Sequence, residues 1–347
     1  MKAVIKGDLG EVHYITDRPI PNPKPGYLLI KTSAVALNPI DWMKADTFPA
    51  PNTLLGHDYS GVVEKVGPDI PRPFAKGDRV FGYTIAGDHH NPEHGAFAEY
   101  ILAKAELVYR MPEGLGFAEA SALGVAVQSA NMALWMKMGL REERERVEAG
   151  SKGEWVLVYG GSTASAGMAI QMAVRSGYSV ISTASPRNFE AVKALGATHV
   201  LDYNRPDCAA AINELTGNKL RLVLDTVAVP SSAKICAEAM SSEGGRYVEL
   251  LPVPFPRQDV EVIFMDAATT MGEPYEYGPD KVPIPVDNEA FEFGKAHVEP
   301  TERMLQREEI HAHQLEIGSG GLEGVLEGLK HLREGKVSGK KLVYLVE

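Results

Sequence analysis

The sequence predicts an α/β protein built around a doubly wound parallel sheet, and three observations carry that expectation. Trp155 to Gln171, WVLVYGGSTASAGMAIQ, runs an apolar strand into a Gly/Ser/Thr/Ala turn and then a helix of small residues, the pattern of a nucleotide-binding βα turn. A second βα unit follows, with Ser179 to Ala184 as a strand, Phe189 to Leu195 as a helix and His199 to Asp202 as a third strand. Leu220 to Asp225 and Arg246 to Leu251 read as further parallel strands of the same sheet.

The N-terminal part of the chain has a different rhythm. Leu28 to Val35, Ser60 to Val66, Arg79 to Tyr83 and Phe97 to Leu102 are short strand-like runs, separated by Pro- and Gly-rich turns such as Pro19 to Gly26 and Pro68 to Gly77. This region is predicted to be a β-rich domain. From Ala118 to about Met138 the pattern becomes helical, and Arg141 to Glu154, dense in charge, reads as an exposed helix end and linker. After Leu251 the sheet pattern dissolves into Pro252 to Pro256 and then an acidic, Pro-rich stretch to about Pro300. The chain closes with a helix from Gly321 to Glu334, apolar at Leu322, Val325, Leu326, Leu329 and Leu332, and a strand from Lys341 to Val346. Both are expected to return to the N-terminal half.

Composition narrows the function. The 347 residues are 44% hydrophobic and 23% charged, as in an ordinary soluble globular protein with room for two domains. No apolar run approaches the roughly 20 residues that span a bilayer, and the chain starts in a strand pattern, so a cytoplasmic protein is expected. A net charge of −11 argues against nucleic acid and membrane surfaces as partners, since both are polyanions. Cys208 and Cys236 belong to no CxxC or Cys/His cluster, which leaves neither a disulfide framework nor a structural metal site.

The cofactor turn can be read residue by residue. Gly160 and Gly161 permit a tight turn with close backbone approach, and Ala164, Ala166 and Gly167 keep the opening helix thin beside a pyrophosphate, toward which the helix N-terminus presents free N–H groups. Where an NAD-binding chain would place Asp or Glu for the ribose hydroxyls, this one has Ser185-Pro186-Arg187-Asn188. A hydroxyl and a guanidinium there suit a ribose 2′-phosphate, so NADPH is the expected cofactor.

Taken together, LNPIDW at Leu37 to Trp42, GHDYSG at Gly56 to Gly61, KGDRVFG at Lys76 to Gly82, GAFAEY at Gly95 to Tyr100, the dinucleotide turn, and VSGKKLV at Val337 to Val343 resemble the medium-chain dehydrogenase/reductase family over nearly the whole chain. The resemblance implies a GroES-like β-barrel catalytic domain from both chain ends, residues 1–122 and 268–347, and a Rossmann NADPH-binding domain at 123–267. It also permits a test for zinc. Asn38 stands where the family's alcohol dehydrogenases carry their first cysteine ligand, no cysteine occurs near Gly124, and His57 alone matches a ligand position. One imidazole cannot hold a catalytic zinc that uses three protein ligands, so no metal is expected. Tyr83 to His94 has no cysteine for a structural zinc, and His89, His90 and His94 read as an exposed polar loop.

Without zinc, the chain resembles the quinone oxidoreductase and enoyl reductase branch. YGGSTAS at Tyr159 to Ser165, SPRN at Ser185 to Asn188 and LDY at Leu201 to Tyr203 are most similar to fungal trans-acting enoyl reductases of polyketide synthases. That resemblance assigns the pyrophosphate to Ser162, Thr163, Ala164 and Ser165, and the adenosine phosphate end to Ser185, Pro186, Arg187, Asn188 and Tyr203. Leu250, Leu251, Val337 and Ser338 would flank the nicotinamide, with Ile40, Asp41, Trp42 and Met43 close by. Some relatives have a lysine at the position of Met43, and here Lys44 comes one place later. The acyl pocket would be lined by Gly124, Val125, Ala126, Val127, Gln128, Ser129, Ala130 and Asn131, with Thr269, Thr270, Met271, Gly272 and Glu273 as a second wall. Small residues in these segments equally suit close helix packing.

The activity so implied is hydride transfer from NADPH to the β-carbon of an α,β-unsaturated polyketide acyl thioester on an acyl carrier domain. The resulting enolate needs hydrogen-bond donors and then a proton at the α-carbon. Mitochondrial enoyl thioester reductases of this family have a tyrosine as donor candidate, but the comparable region here is Asp46-Thr47-Phe48-Pro49, and a phenyl ring cannot donate. The donor is therefore open at the level of sequence. Related chains dimerise through Rossmann edge strands near the segment that here reads Leu250 to Pro256, where three prolines would remove ladder donors, so a monomer is expected. Arg333, Lys336, Lys340 and Lys341 are candidates for a carrier-docking patch, against the reading of solvent-facing charge that suits a helix C-terminus. A free-standing NADPH quinone or enone reductase shares every motif named, and a catalytically silent NADPH-binding protein is the reading from a different class.

Overall fold

The computed structural model describes residues 1–142 and 154–346. Most of the sequence-predicted linker Arg141 to Glu154 lies outside the described residues. The chain forms two compact units, one of Met1–Val125, Ala268–Glu308 and Ala312–Glu347, the other of Ala126–Ala267 with Glu309–His311.

The first unit is built on a seven-stranded sheet. Its order runs Leu315–Gly318, Lys341–Leu345, Tyr27–Ala36, Asp58–Val66, Arg79–Tyr83, Tyr109–Arg110, and Tyr100–Lys104 pairs separately with Tyr27–Ala36. The last strand, Lys341–Leu345, lies antiparallel to Tyr27–Ala36, Val343 opposite Ala36 and Tyr344 opposite Val35. The final helix Gly321–Arg333 buries Leu322, Val325 and Leu329 in the same apolar core as Leu28, Ile30, Tyr59 and Phe97. The chain end thus returns to the N-terminal half because that helix has only one apolar stripe to cover. A short helix, Pro39–Thr47, starts after Asn38 with proline in its first turn, where the missing N–H costs nothing.

The second unit is a six-stranded parallel sheet in the order His199–Leu201, Ser179–Thr183, Trp155–Tyr159, Leu222–Asp225, Gly245–Glu249, Val260–Phe264. The first strand in sequence, Trp155–Tyr159, lies between the second and the fourth, so the strand order reverses there. This is the switch point at which doubly wound sheets bind dinucleotides. Val156, Leu157, Val158, Val180 and Ile181 are fully buried, as expected of strands covered on both faces.

Two expectations are revised. The sixth strand, Val260–Phe264, follows the proline segment and ends the sheet, with Val262 and Phe264 exposed. Pro252, Pro254 and Pro256 lie in the connection before it, so they remove no ladder donor from the terminal strand, and the argument for a monomer drawn from them does not apply. The acidic, Pro-rich stretch up to about Pro300, to which the sequence pattern assigns no element, holds helix Asn288–Ala296 and runs into helix Val298–Gln306. Asp287 caps the former by accepting the Ala290 N–H at 2.9 Å, and Pro300 falls in the first turn of the latter.

Candidate functional site

In the nucleotide-binding unit, the strand Trp155–Tyr159 delivers the chain into a turn that only glycine can make. Gly160 has φ +85°, and a Cβ on Gly161 would lie 2.3 Å from Ser182 Oγ and 2.8 Å from Val192 Cγ1. The turn is pinned to the neighbouring strand, the Gly161 N–H donating to Thr183 O at 2.8 Å and the Gly160 N–H to Thr183 Oγ1 at 3.1 Å. Thr163 then caps the helix Ala164–Arg175, accepting the Ala166 N–H, while its hydroxyl lies 2.9 Å from that of Thr226. Ser162 to Ser165 therefore sit at the N-terminus of a twelve-residue helix at the switch point.

Ser185 to Asn188 leave the next strand as a single 3₁₀ turn, with the Asn188 side chain donating to Ser185 Oγ at 3.3 Å. Arg187 is exposed and makes no ion pair among the described residues. Tyr203 follows the third strand, its ring 6.3 Å from that of Tyr159. The pyrophosphate and adenosine-end candidates thus gather at the carboxyl ends of adjacent strands. Leu250 and Leu251 follow Gly245–Glu249 at the same end of the sheet. The glycine cradle, the capped helix and the unpaired guanidinium fit a nicotinamide dinucleotide.

The first unit carries the remaining candidates, and here a polar network unforeseen in the sequence appears. Asp41 and Asp58 are fully buried, and Asn38, His57 and Lys341 nearly so. Asp41 Oδ2 accepts the Asn38 N–H at 2.7 Å, and its Oδ1 is 2.5 Å from His57 Nδ1. Lys341 Nζ donates to Asn38 Oδ1 at 2.5 Å and to Asp58 Oδ2 at 2.8 Å. Asp58 Oδ2 also accepts from Asn38 Nδ2 at 2.9 Å, and Asp58 Oδ1 accepts the Val125 N–H at 2.6 Å.

A catalytic zinc does not fit this donor set. Asn38 offers a neutral amide in place of a thiolate, and an ammonium already neutralises Asp58, which leaves His57 as a single donor. The described residues bring one other metal-capable group together, His89, His90 and Glu276, whose ligand atoms lie within 4.8 Å of one another, with both histidines exposed. His94 turns inward instead, stacked on Tyr27, and burial pushes its pKa down to about 4.

Other candidates have internal employment. Lys44 is buried with Nζ on Ala86 O at 2.8 Å, so it points into its own unit. Of Gly124 to Asn131 only Val125 is partly exposed, and a Cβ on Gly124 would lie 2.2 Å from Gly82 O, so this glycine serves close packing of helix on strand. Thr270 is hydrogen-bonded to Tyr83, and Met271 packs with Tyr83, Ile85 and Tyr275. Glu273 accepts from Tyr27 and Lys104; burial works to raise its pKa, but the Tyr27 hydroxyl and the charges of His94 and Lys104 hold it below the usual range. Lys341 leaves the supposed basic patch, being buried, while Arg333 pairs with Asp46, Lys336 with Glu334 and Lys340 with Glu316. No helix among the described residues is long and apolar enough to cross a membrane.

A nucleotide-binding parallel sheet joined in one chain to a barrel-like unit made from both chain ends defines a medium-chain oxidoreductase, with a GroES-like and a Rossmann domain. Residues 24–113 match the alcohol dehydrogenase GroES-like domain and residues 166–250 the zinc-binding dehydrogenase domain. Among solved structures, an alcohol dehydrogenase superfamily protein from Novosphingobium aromaticivorans superposes with a TM-score of 0.80 at 22% identity, over 100% of both chains. The chain is 38% identical to a trans-enoyl reductase of Aspergillus sclerotiorum over 100% of both proteins. It is 36% identical to a trans-enoyl reductase of Alternaria alternata, over 100% of this chain and 99% of that one. The chain belongs to the trans-enoyl reductase family.

Proposed function

We propose that the protein is a trans-acting enoyl reductase that uses NADPH to saturate the α,β-double bond of a polyketide acyl thioester presented by the acyl carrier domain of a polyketide synthase. The observation that carries this reading is the identity of 38% with a trans-enoyl reductase over 100% of this chain and 100% of that protein. When bound, NADPH supplies a hydride to the β-carbon, which leaves the thioester as an enolate.

The protein's part is to bind, orient and exclude. Ser162 to Ser165, at the N-terminus of Ala164–Arg175, hold the pyrophosphate with backbone N–H groups. Arg187 and Ser185 hold the ribose 2′-phosphate, and Tyr203 packs at the adenosine end; the exposed, unpaired guanidinium supports NADPH over NADH. Leu250 and Leu251, which follow Gly245–Glu249 in the nucleotide-binding unit, supply the nicotinamide end.

The test is NADPH consumption with an α,β-unsaturated acyl pantetheine thioester beside a small quinone and a free enone at matched concentrations. A higher kcat/KM for the thioester is expected. Preference for the quinone or the enone would overturn the assignment, and tight NADPH binding without turnover of any of the three would mark a silent binding protein.

A further inference from the structure

We propose that His89, His90 and Glu276 bind one divalent transition-metal ion of the zinc class, which staples the loop after Arg79–Tyr83 to the hairpin of Tyr275–Tyr277 and Val282–Ile284. All three residues belong to the first unit, and none is part of the donor set around His57. The inference is independent of the enoyl reductase reading and goes beyond it.

Three observations carry it, of which the first is convergence. His89 Nδ1 lies 3.1 Å from Glu276 Oε2 and His90 Nε2 lies 3.5 Å from Glu276 Oε1, so each carboxylate oxygen faces one imidazole. One ligand atom from each residue falls within 4.8 Å of the other two. Donors held about 2.0–2.1 Å from a single tetrahedral ion stand roughly 3.3 Å apart, which is the spacing between the carboxylate and each ring. The two rings themselves stack, with centroids 4.4 Å apart.

The second is an unmet need. Glu276 Oε2 is buried and makes no hydrogen bond among the described residues, although His89 Nδ1 is so near. A buried carboxylate oxygen without a partner is costly, and a neutral imidazole that turns its lone pair toward it repels it. A cation held between the two removes both penalties.

The third is preorganisation. Asp88, only 4% exposed, fixes the loop by accepting the His90 N–H at 3.0 Å on one oxygen and the Asn91 side-chain amide at 3.3 Å on the other. Glu276 stands opposite Pro283 in the antiparallel hairpin, and its neighbour Tyr275 packs with Tyr83, Ile85 and Met271. Loop and hairpin are thus anchored in one apolar cluster, and both histidines are exposed, so the ion enters from solvent. Two imidazoles and a carboxylate suit zinc-class ions rather than Mg²⁺ or Ca²⁺, which take oxygen ligands. The ion is a brace within the first unit and takes no part in hydride transfer.

The experiment titrates the full chain, freed of any affinity tag and stripped of metal by chelation, with Zn²⁺ alone in a calorimeter. One Zn²⁺ per chain is expected, with a Kd of about 10 µM or lower. Glu276→Gln, His89→Ala and His90→Ala should each weaken binding by about 10-fold or more, and His57→Gln should change it by less than about threefold. Saturating Zn²⁺ should raise the Tm of the wild type but not that of Glu276→Gln, and Mg²⁺ should raise neither. X-ray absorption at the zinc edge should show imidazole nitrogen and carboxylate oxygen at about 2.0–2.1 Å. Absence of saturable binding by the wild type would overturn the proposal. So would Glu276→Gln binding Zn²⁺ within about threefold of the wild type, which would mark an adventitious pair of histidines, or loss of the site in His57→Gln, which would place the ion elsewhere.

Discussion

Removal of the internal cation is the sharpest structural perturbation available. Lys341 Nζ lies 2.8 Å from Asp58 Oδ2, on strands separated by most of the chain, with the aspartate fully buried and the lysine 5% exposed. Lys341→Met keeps the apolar stem and removes the charge, which leaves a carboxylate in the core without its counter-ion. Breaking a buried pair from one side costs about 3–5 kcal/mol, far above the value of a surface pair. Asp58 still accepts from Asn38 Nδ2 at 2.9 Å and the Val125 N–H at 2.6 Å, so the loss should fall at the low end of that range, about 3 kcal/mol. Asp58→Asn strands the ammonium instead and should cost a similar amount. The double variant, with neither charge, should be less destabilised than the sum by about 2 kcal/mol or more. Urea unfolding followed by circular dichroism gives all three values. Single losses under about 1 kcal/mol that simply add would refute the reasoning and return Lys341 to the solvent-facing patch.

Further outcomes follow from the same structure. Arg187→Glu should raise KM for NADPH by about 10–100-fold, the value of a charge-assisted contact to phosphate, and leave KM for NADH little changed; equal effects on both cofactors in initial-rate assays would remove Arg187 from the phosphate site. His94, with its folded pKa pushed down to about 4 from an ordinary 6.5, favours folding while neutral. Its contribution is complete above pH 6.5 and shrinks as the pH falls toward 4, because the unfolded chain then takes up a proton that the folded one refuses. Between pH 7 and pH 5 the wild type should lose about 2 kcal/mol through this residue, a loss absent from His94→Asn when urea midpoints are compared. EDTA should leave NADPH consumption unchanged, since the donor set around His57 does not suit zinc.

Local signals were legible and long-range pairings were not. Trp155–Tyr159 and Arg79–Tyr83 run over the residues their apolar patterns mark, and the stripe of Gly321–Arg333 faces the core it predicts. The strand Val260–Phe264 was hidden because three prolines before it read as the end of the sheet, although proline forbids pairing only where it stands. Pro300 stands in the first turn of Val298–Gln306, where it removes no helical hydrogen bond. The network around His57 joins positions 38, 41, 57, 58 and 341, a set that no spacing rule connects. The signal that could have found it is the exchange of a cysteine position for Asn38 together with a lysine following Gly339-Lys340, since loss of one cation invites another to balance Asp58. Lys341 was instead read with its exposed neighbours, because periodicity in a short final strand does not reveal which face is covered.

The central claim is that hydride passes to the β-carbon of an enoyl thioester. The direct measurement is mass and NMR analysis of the product from crotonyl pantetheine with NADPH deuterated at its transferable position. One deuterium at the β-carbon for each NADPH consumed is the predicted result, and NADPH consumption that leaves the thioester unlabelled would contradict it.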